Sequence, residues 1–308
     1  MKRFRKILVG VDLSWGDCFV GDELSEPNAE AVRQAMWLAK LNSASLDLLF
    51  ALDLSVKAQQ LIAESTADEW TLLDEAKSHL TDLVAKAREE GILADSHVLI
   101  GKSWLELIRQ VLRNGHDLVV AGTRHLGQLK GLLVGSTGIK LLRKCPCPVW
   151  ITQPQPEKEI KSILVAHDLR TVGDLAMELG CSMAEIHGAQ LHVLHSLDFP
   201  ELDSTTPARI STDKSAQFRT NAAQHIHAQL AGYEFAKPPE MHIVTDRPDF
   251  AVLAHIDRHA VELLIMGTIA RTGIAGFIVG NTAERLLPRI PCSVLAVKPP
   301  GFISPVTI

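Results

Sequence analysis

The chain has 308 residues, 46 % of them hydrophobic and 22 % charged, with a formal net charge of -5. That length suggests two domains with cores of their own, and that composition excludes a mainly disordered chain. Residues 1–152 carry 18 basic and 19 acidic side chains and the rest 13 and 17, so neither half offers the basic surface that a nucleic acid needs.

The start, Met1 to Lys6, is basic, but the apolar run that follows, Ile7-Leu8-Val9-Gly10-Val11, ends at Asp12. It is too short for an export signal and reads as a buried strand over 7–11. Residues 15–27 hold Gly16, Gly21, Pro27 and four acids without apolar periodicity, which predicts an exposed loop. A second strand is predicted over 46–52. Leu72, Leu73, Ala76, Leu80, Leu83, Val84 and Ala87 then recur at spacings of three and four, a helix with Thr66 and Glu69 as its capping box and Gly91 as its stop. Strands follow at 98–100, 118–121 and 149–151. Beyond Gln153-Pro154-Gln155-Pro156-Glu157-Lys158, a short stiff linker, the order repeats with strands at 163–166, 191–197, 241–244, 263–266 and 294–297.

Continuous apolar strands separated by amphipathic helices mark a parallel sheet covered on both faces. The expected fold class is α/β, two tandem Rossmann-like domains, each a five-stranded parallel sheet with helices on both faces. The expected domains are 1–152 and 159–308, joined by the linker 153–158. No apolar run approaches the ~18 residues that cross a bilayer. Five cysteines, Cys18, Cys145, Cys147, Cys181 and Cys292, make no disulfide framework, so a reducing cytoplasm is expected.

The duplication is explicit at a shift of 145. Leu46, Leu49, Leu52 and Asp53 match Leu191, Leu194, Leu197 and Asp198, and His97 matches His242. Gly122-Thr123 matches Gly267-Thr268, Gly135 matches Gly280, Thr137 matches Thr282, and Pro146-Cys147 matches Pro291-Cys292. The opening strands match at a shift of 156, so the first repeat carries 11 extra residues, placed at 15–27. A duplicated domain often keeps the contact of an ancestral homodimer. The repeats are therefore expected to pack on each other, and a homodimer of the chain stays open.

Ligands of such sheets sit beyond the carboxyl ends of the strands, where the strand order reverses. There the fourth strand of the first repeat runs into a glycine-rich segment from Gly122 to Gly135, and Gly135-Ser136-Thr137 opens a helix whose free amides favour an anion. The same residues also fit a plain strand-to-helix connection with Ser136 as N-cap, and both readings stay open. Neither G-x-x-x-x-G-K-[ST] nor an early G-x-G-x-x-G occurs, and no lysine stands at a spacing that reaches a γ-phosphate.

The Ile-Leu-Val-x-x-Asp strand opening each repeat resembles the universal stress proteins, as do the Gly-Thr ending strand four, the glycine thirteen residues on and the helix after it. Leu141-Leu142-Arg143-Lys144-Cys145-Pro146 and Gly280-Asn281-Thr282-Ala283-Glu284 are similar to the tandem-domain type of that family. The resemblance covers nearly the whole chain. It implies five-stranded parallel sheets, a cytoplasmic location, a role in stress endurance and, in many single-domain members, ATP binding through glycine, two residues, glycine, nine residues, then Gly-Ser or Gly-Thr.

Carried over, that pattern implies a nucleotide site in the first repeat at Asp12, Gly101, Gly122, Thr123, His125, Gly135, Ser136 and Thr137, with His125 in place of the second glycine. A weaker site is implied in the second repeat at Asp168, Gly267, Thr268, Gly280, Asn281 and Thr282. There Ala270 replaces the second glycine, and Asp246, the counterpart of Gly101, would repel phosphates. Asn281 with Glu284 reads as a helix cap occupying the amides a phosphate would use.

The remaining signals are weaker. Nine of the 13 histidines lie in the second half. His192 and His195, three apart on a strand, face opposite ways. His255 and His259, one helical turn apart, are spaced to share a metal, but solvated helix histidines are the favoured reading and no metal is assigned. His167 and His195 lie near the ligand end of adjacent strands. Cys147 and Cys292 start the last strands and read as buried structural thiols. No catalytic constellation is identified.

The expected function is a regulatory stress-endurance module, binding ATP, ADP or AMP in its first domain. The alternatives are a slow ATPase and a small-molecule or lipid carrier or scaffold with degenerate sites. The expected partners are an adenine nucleotide or another small molecule, with no nucleic acid and no membrane.

Overall fold

The computed structural model describes residues 3–14, 20–21, 23–53, 69–123, 134–154, 159–197, 212–268 and 280–308. The chain divides into two compact units. The first holds Met1–Gln155 with the terminal Phe302–Ile308; the second holds Pro156–Gly273 and Val279–Gly301.

In the first unit, β1 (Lys6–Gly10), α1 (Glu26–Asn42), β2 (Ser45–Leu52), α2 (Glu69–Glu89), β3 (Ala94–Ile100), α3 (Ser103–Asn114), β4 (Leu118–Gly122), α4 (Ser136–Lys144) and β5 (Val149–Thr152) follow in order. All strand pairs are parallel, in the order β3-β2-β1-β4-β5. The apolar runs read from the sequence are its centre: Ile7, Leu8, Leu46, Leu48, Leu118, Val119 and Val120 are fully buried. Strand β3 is longer than the 98–100 expected. It is an edge strand, and its first half, with Asp95, Ser96 and His97, is only partly covered.

The second unit repeats this with β6 (Ser162–Ala166), α5 (Thr171–His187), β7 (Gln190–Ser196), α6 (Thr212–Leu230), β8 (Glu240–Val244), α7 (Pro248–Arg258), β9 (Leu263–Gly267), α8 (Asn281–Leu286) and β10 (Ser293–Val297), in the order β8-β7-β6-β9-β10. Each sheet reverses strand order beside its first strand, between β1 and β4 and between β6 and β9. The 145-residue register extends further back than the sequence showed, because α1 and α5 correspond from first residue to last.

The expected loop at 15–27 is corrected at its end. Glu26 and Pro27 are the opening residues of α1, where a proline costs no hydrogen bond, and Pro27 is buried. Trp15 and Phe19, on which that expectation turned, lie outside the described residues, as does Thr66 of the capping box. Gly91, at φ +80, closes α2, with Ile92 N donating to the Ala87 carbonyl at 3.0 Å. Cys145, Cys147, Cys181 and Cys292 are buried. The hydrogen bond to Cys145 and burial push the Cys147 thiol well up, and burial pushes Cys292 to about 12, so neither forms a thiolate readily. No helix among the described residues is long and apolar enough to cross a membrane.

Candidate functional site

At the switch point of the first unit the carboxyl ends of β1 and β4 leave a cavity of about 500 Å³. Its wall brings together Asp12, Gly122, Thr123, Gly135, Ser136 and Thr137 from the sequence-predicted set. Asp12 is held on both sides. Its amide donates to Asn28 Oδ1 at 3.1 Å, and its Oδ1 accepts from the Ser14 amide at 3.0 Å and the Ser14 hydroxyl at 2.5 Å.

Gly122 has a packing reason beside any ligand role. A Cβ there would stand 2.4 Å from the Pro27 carbonyl oxygen, so only glycine lets α1 seat its first turn on the end of β4. Gly101 is not on the cavity wall. It takes φ +147, and a Cβ there would meet the Glu106 side chain at 3.0 Å. His125 lies outside the described residues.

The expectation of Ser136 as N-cap is corrected. Gly135 is the N-cap of α4, Ser136 is the first helical residue, and no side chain caps the helix. Among the described residues no side chain competes for its leading amides, and the positive end of the helix dipole lies at the cavity wall.

Three further wall residues escaped the sequence reading: Lys102, Trp104 and Lys140. The sequence offered no lysine at P-loop spacing, and the fold supplies two by other routes. Lys102 is the N-cap residue of α3, just beyond β3, and Lys140 stands one turn after Ser136. The Lys140 and Lys144 ammonium groups lie 5.5 and 4.7 Å from the Trp104 ring centroid. Two wall residues carry buried polar atoms with no hydrogen-bond partner among the described residues: Thr123 Oγ1 and Trp104 Nε1.

In the second unit the corresponding groups are engaged. Thr268 Oγ1 accepts from Lys298 Nζ at 2.5 Å, and the Gly280 amide donates to the Thr268 carbonyl at 2.8 Å. Asp168 Oδ1 accepts from the Arg170 amide at 3.1 Å and lies where a Cβ of Gly173, the counterpart of Asn28, would be. Gly267 packs like Gly122, with its absent Cβ 2.8 Å from Val172 Cγ1. Gly280 is the N-cap of α8, and Asn281 and Thr282 are its first two residues; the Asn281 side chain, on which the capping expectation turned, lies outside the described residues.

Beside Asp168, His167 is buried, with Nε2 donating to Gln229 Oε1 at 2.8 Å and Nδ1 accepting from the Leu169 amide at 2.8 Å. Burial lowers its pKa. Asp174 accepts from His225 at 2.9 Å and from Gln229 at 2.6 Å.

At the opposite, amino-terminal ends of the strands, the units diverge again. In the first, Asp47 meets His116 Nε2 at 2.7 Å, His97 Nε2 at 3.8 Å and Lys6 Nζ at 3.8 Å. Burial alone would raise Asp47, but the hydrogen bond to His116 and the nearby His97 and Lys6 hold it well below the carboxylate range; the Asp47 carboxylate in turn raises His97. In the second, His192, His242, His255 and His259 converge. This corrects the reading of His255 as solvated: it is 5 % exposed, and burial first, then its neighbouring imidazoles, lower it to about 3.

Duplicated doubly wound parallel sheets define a tandem Rossmann-like α/β protein. The chain belongs to the universal stress protein family, whose sequence profile matches residues 3–153 and 159–298. Universal stress protein E of Photorhabdus laumondii is 23 % identical over 321 residues, 99 % of this chain and 98 % of that protein. Universal stress protein E of Escherichia coli K12 is 27 % identical over 217 residues, 66 % of this chain and 67 % of its own. A protein of unknown function from Pseudomonas aeruginosa PAO1 superposes with TM-score 0.72 at 23 % identity, covering 97 % of this chain and 94 % of its own. A universal stress protein from Archaeoglobus fulgidus gives 0.65 at 22 %, covering 95 % and 98 %. These structures share the fold.

Proposed function

We propose that the chain is a cytoplasmic regulatory stress protein whose first domain binds an adenine nucleotide. The observation that carries this is the cavity at the β1–β4 switch point. Its volume of about 500 Å³ falls within the ~300–1,000 Å³ of small-molecule sites. Its wall pairs a helix N-terminus and two lysines with two aspartates, Asp12 and Asp53. In this reading the α4 amides, Lys102 and Lys140 take the phosphates. Asp12 accepts from the nucleoside, and Thr123 Oγ1 and Trp104 Nε1 find the partners they lack. The second domain binds nucleotide less well, because Lys298 and the Gly280 amide already close its counterpart groups on Thr268.

Calorimetric titration with ATP tests this on the full chain. The wild type is expected to bind one equivalent. Gly135→Val, which puts a branched side chain at the helix entrance, is expected to abolish binding, and Gly280→Val to change it little. Loss of binding on Gly280→Val alone would reverse the ranking of the domains. No binding by the wild type at millimolar ATP would leave the carrier or scaffold reading in its place.

A further inference from the structure

The amino-terminal end of the second sheet holds an arrangement that the nucleotide pocket does not use. His192 on β7 and His242 on β8 face α7, which brings His255 and His259 over them. Glu240, paired with His192 in the β7–β8 register, completes the cluster. His192 Nδ1 stands 3.5 Å from His242 Nε2 and 3.4 Å from Glu240 Oε2, and His242 Nε2 stands 3.5 Å from Glu240 Oε2. Ligand atoms at ~2.0–2.1 Å around a tetrahedral ion stand roughly 3.3–3.4 Å apart, so this triangle has the dimensions of one face of a tetrahedral metal site.

A second triad shares a residue with the first. His192, His255 and His259 offer ligand atoms that all lie within 4.8 Å of one another. His255 is 5 % exposed, and its Nε2 is buried with no hydrogen-bond partner among the described residues. A buried ring nitrogen left unpaired is costly and calls for an occupant. The first unit shows what normally balances this spot. Where His192 stands it has Asp47, which is met by Lys6 and His116. The second unit has Ser162 and Val261 at the positions of Lys6 and His116, and adds imidazoles at the positions of Gln110 and Asn114.

We propose that His192, His242 and Glu240, with a fourth ligand from the stacked pair His255 and His259, bind one divalent transition-metal ion of the class that imidazole prefers, Zn²⁺ above all. His192 and His242 are fixed by the sheet, whereas His255 and His259 are one turn apart on the end of α7, so closing the site needs side-chain rotation and no change of fold.

The test uses the full-length, tag-free protein, stripped with a chelator and titrated with Zn²⁺, and with Co²⁺ for its visible spectrum. One equivalent is expected at micromolar affinity or tighter, with the absorption of a tetrahedral Co²⁺ site. His242 and Glu240 are partly exposed, so His242→Ala and Glu240→Gln should fold, and each should weaken binding at least roughly tenfold. His225→Ala, in the separate His167–Asp174–His225 group, should leave binding unchanged. The proposal is overturned if the wild type binds no Zn²⁺ at micromolar concentration. It is overturned equally if the His242→Ala, Glu240→Gln double variant binds like the wild type, or if His225→Ala is the variant that loses the ion.

Discussion

The Lys298 ammonium donates to the Thr268 hydroxyl at 2.5 Å, whereas Thr123, the counterpart of Thr268, keeps a buried hydroxyl with no partner among the described residues and has Gln153 at the position of the lysine. One duplicated position thus carries opposite hydrogen-bond accounts. Replacing Thr123 by valine removes a hydroxyl that bonds to none of the described residues, so Thr123→Val should leave the unliganded protein as stable as before, or slightly more so. Thr268→Val removes an acceptor from a buried ammonium and should cost about 1.5–3 kcal/mol. Urea unfolding of both variants checks this, and equal losses would refute the contrast.

The two packing glycines should also differ. At Gly122 an added Cβ meets a backbone carbonyl oxygen at 2.4 Å, and at Gly267 it meets a valine methyl at 2.8 Å. A methyl can turn away, but the first turn of a helix cannot. Gly122→Ala is expected to cost about 1–3 kcal/mol and Gly267→Ala clearly less, read from denaturant midpoints.

The Asp47 cluster makes a pH prediction. Asp47 titrates lower in the folded state than in the unfolded chain, so its stabilisation is present above the ordinary value near 3.8 and fades as pH falls toward its native value. His97 titrates higher when folded, so its share is complete below the ordinary 6.5 and is lost as pH rises through its raised native value. The stability gap between wild type and Asp47→Ala should therefore be widest near pH 5 and narrower at pH 8 and pH 3. At its widest, about 1–3 kcal/mol reflects the buried His116 Nε2 left without its carboxylate. A gap independent of pH would show that Asp47 acts by packing alone.

Trp104 offers an optical readout of the first pocket. Its ring lies on the wall beneath two lysine ammonium groups. ATP binding should alter the fluorescence of the wild type, and most of that change should vanish in Trp104→Phe. A signal that persists in Trp104→Phe would place the ligand elsewhere.

The alternating apolar runs and the 145-residue register made the succession of strands and helices along the chain legible, because buried parallel strands announce themselves as unbroken aliphatic stretches. Strand β3 was seen only in its last residues, since an edge strand needs no aliphatic face along Asp95, Ser96 and His97. Asp12, Gly122 and Gly135 were legible because they follow strands or open a helix. Lys102 and Lys140 were not, because what places them is the convergence of α3 and α4 on one cavity. The histidine cluster was half visible. The spacing of His255 and His259 is local, but His192 and His242 reach them only through the pairing of β7 with β8.

The end-to-end correspondence of α1 with α5 has an experimental consequence. Each residue from 26 to about 153 has a twin in the same polypeptide, at the same concentration and in the same buffer. A site can therefore be transplanted between copies. Placing histidine at 47, 110 and 114, beside the resident His97, with glutamate at 95, would ask whether the first copy can be taught the chemistry of the second. Because the donor copy remains in the same molecule, gain at one and retention at the other can be read in a single sample.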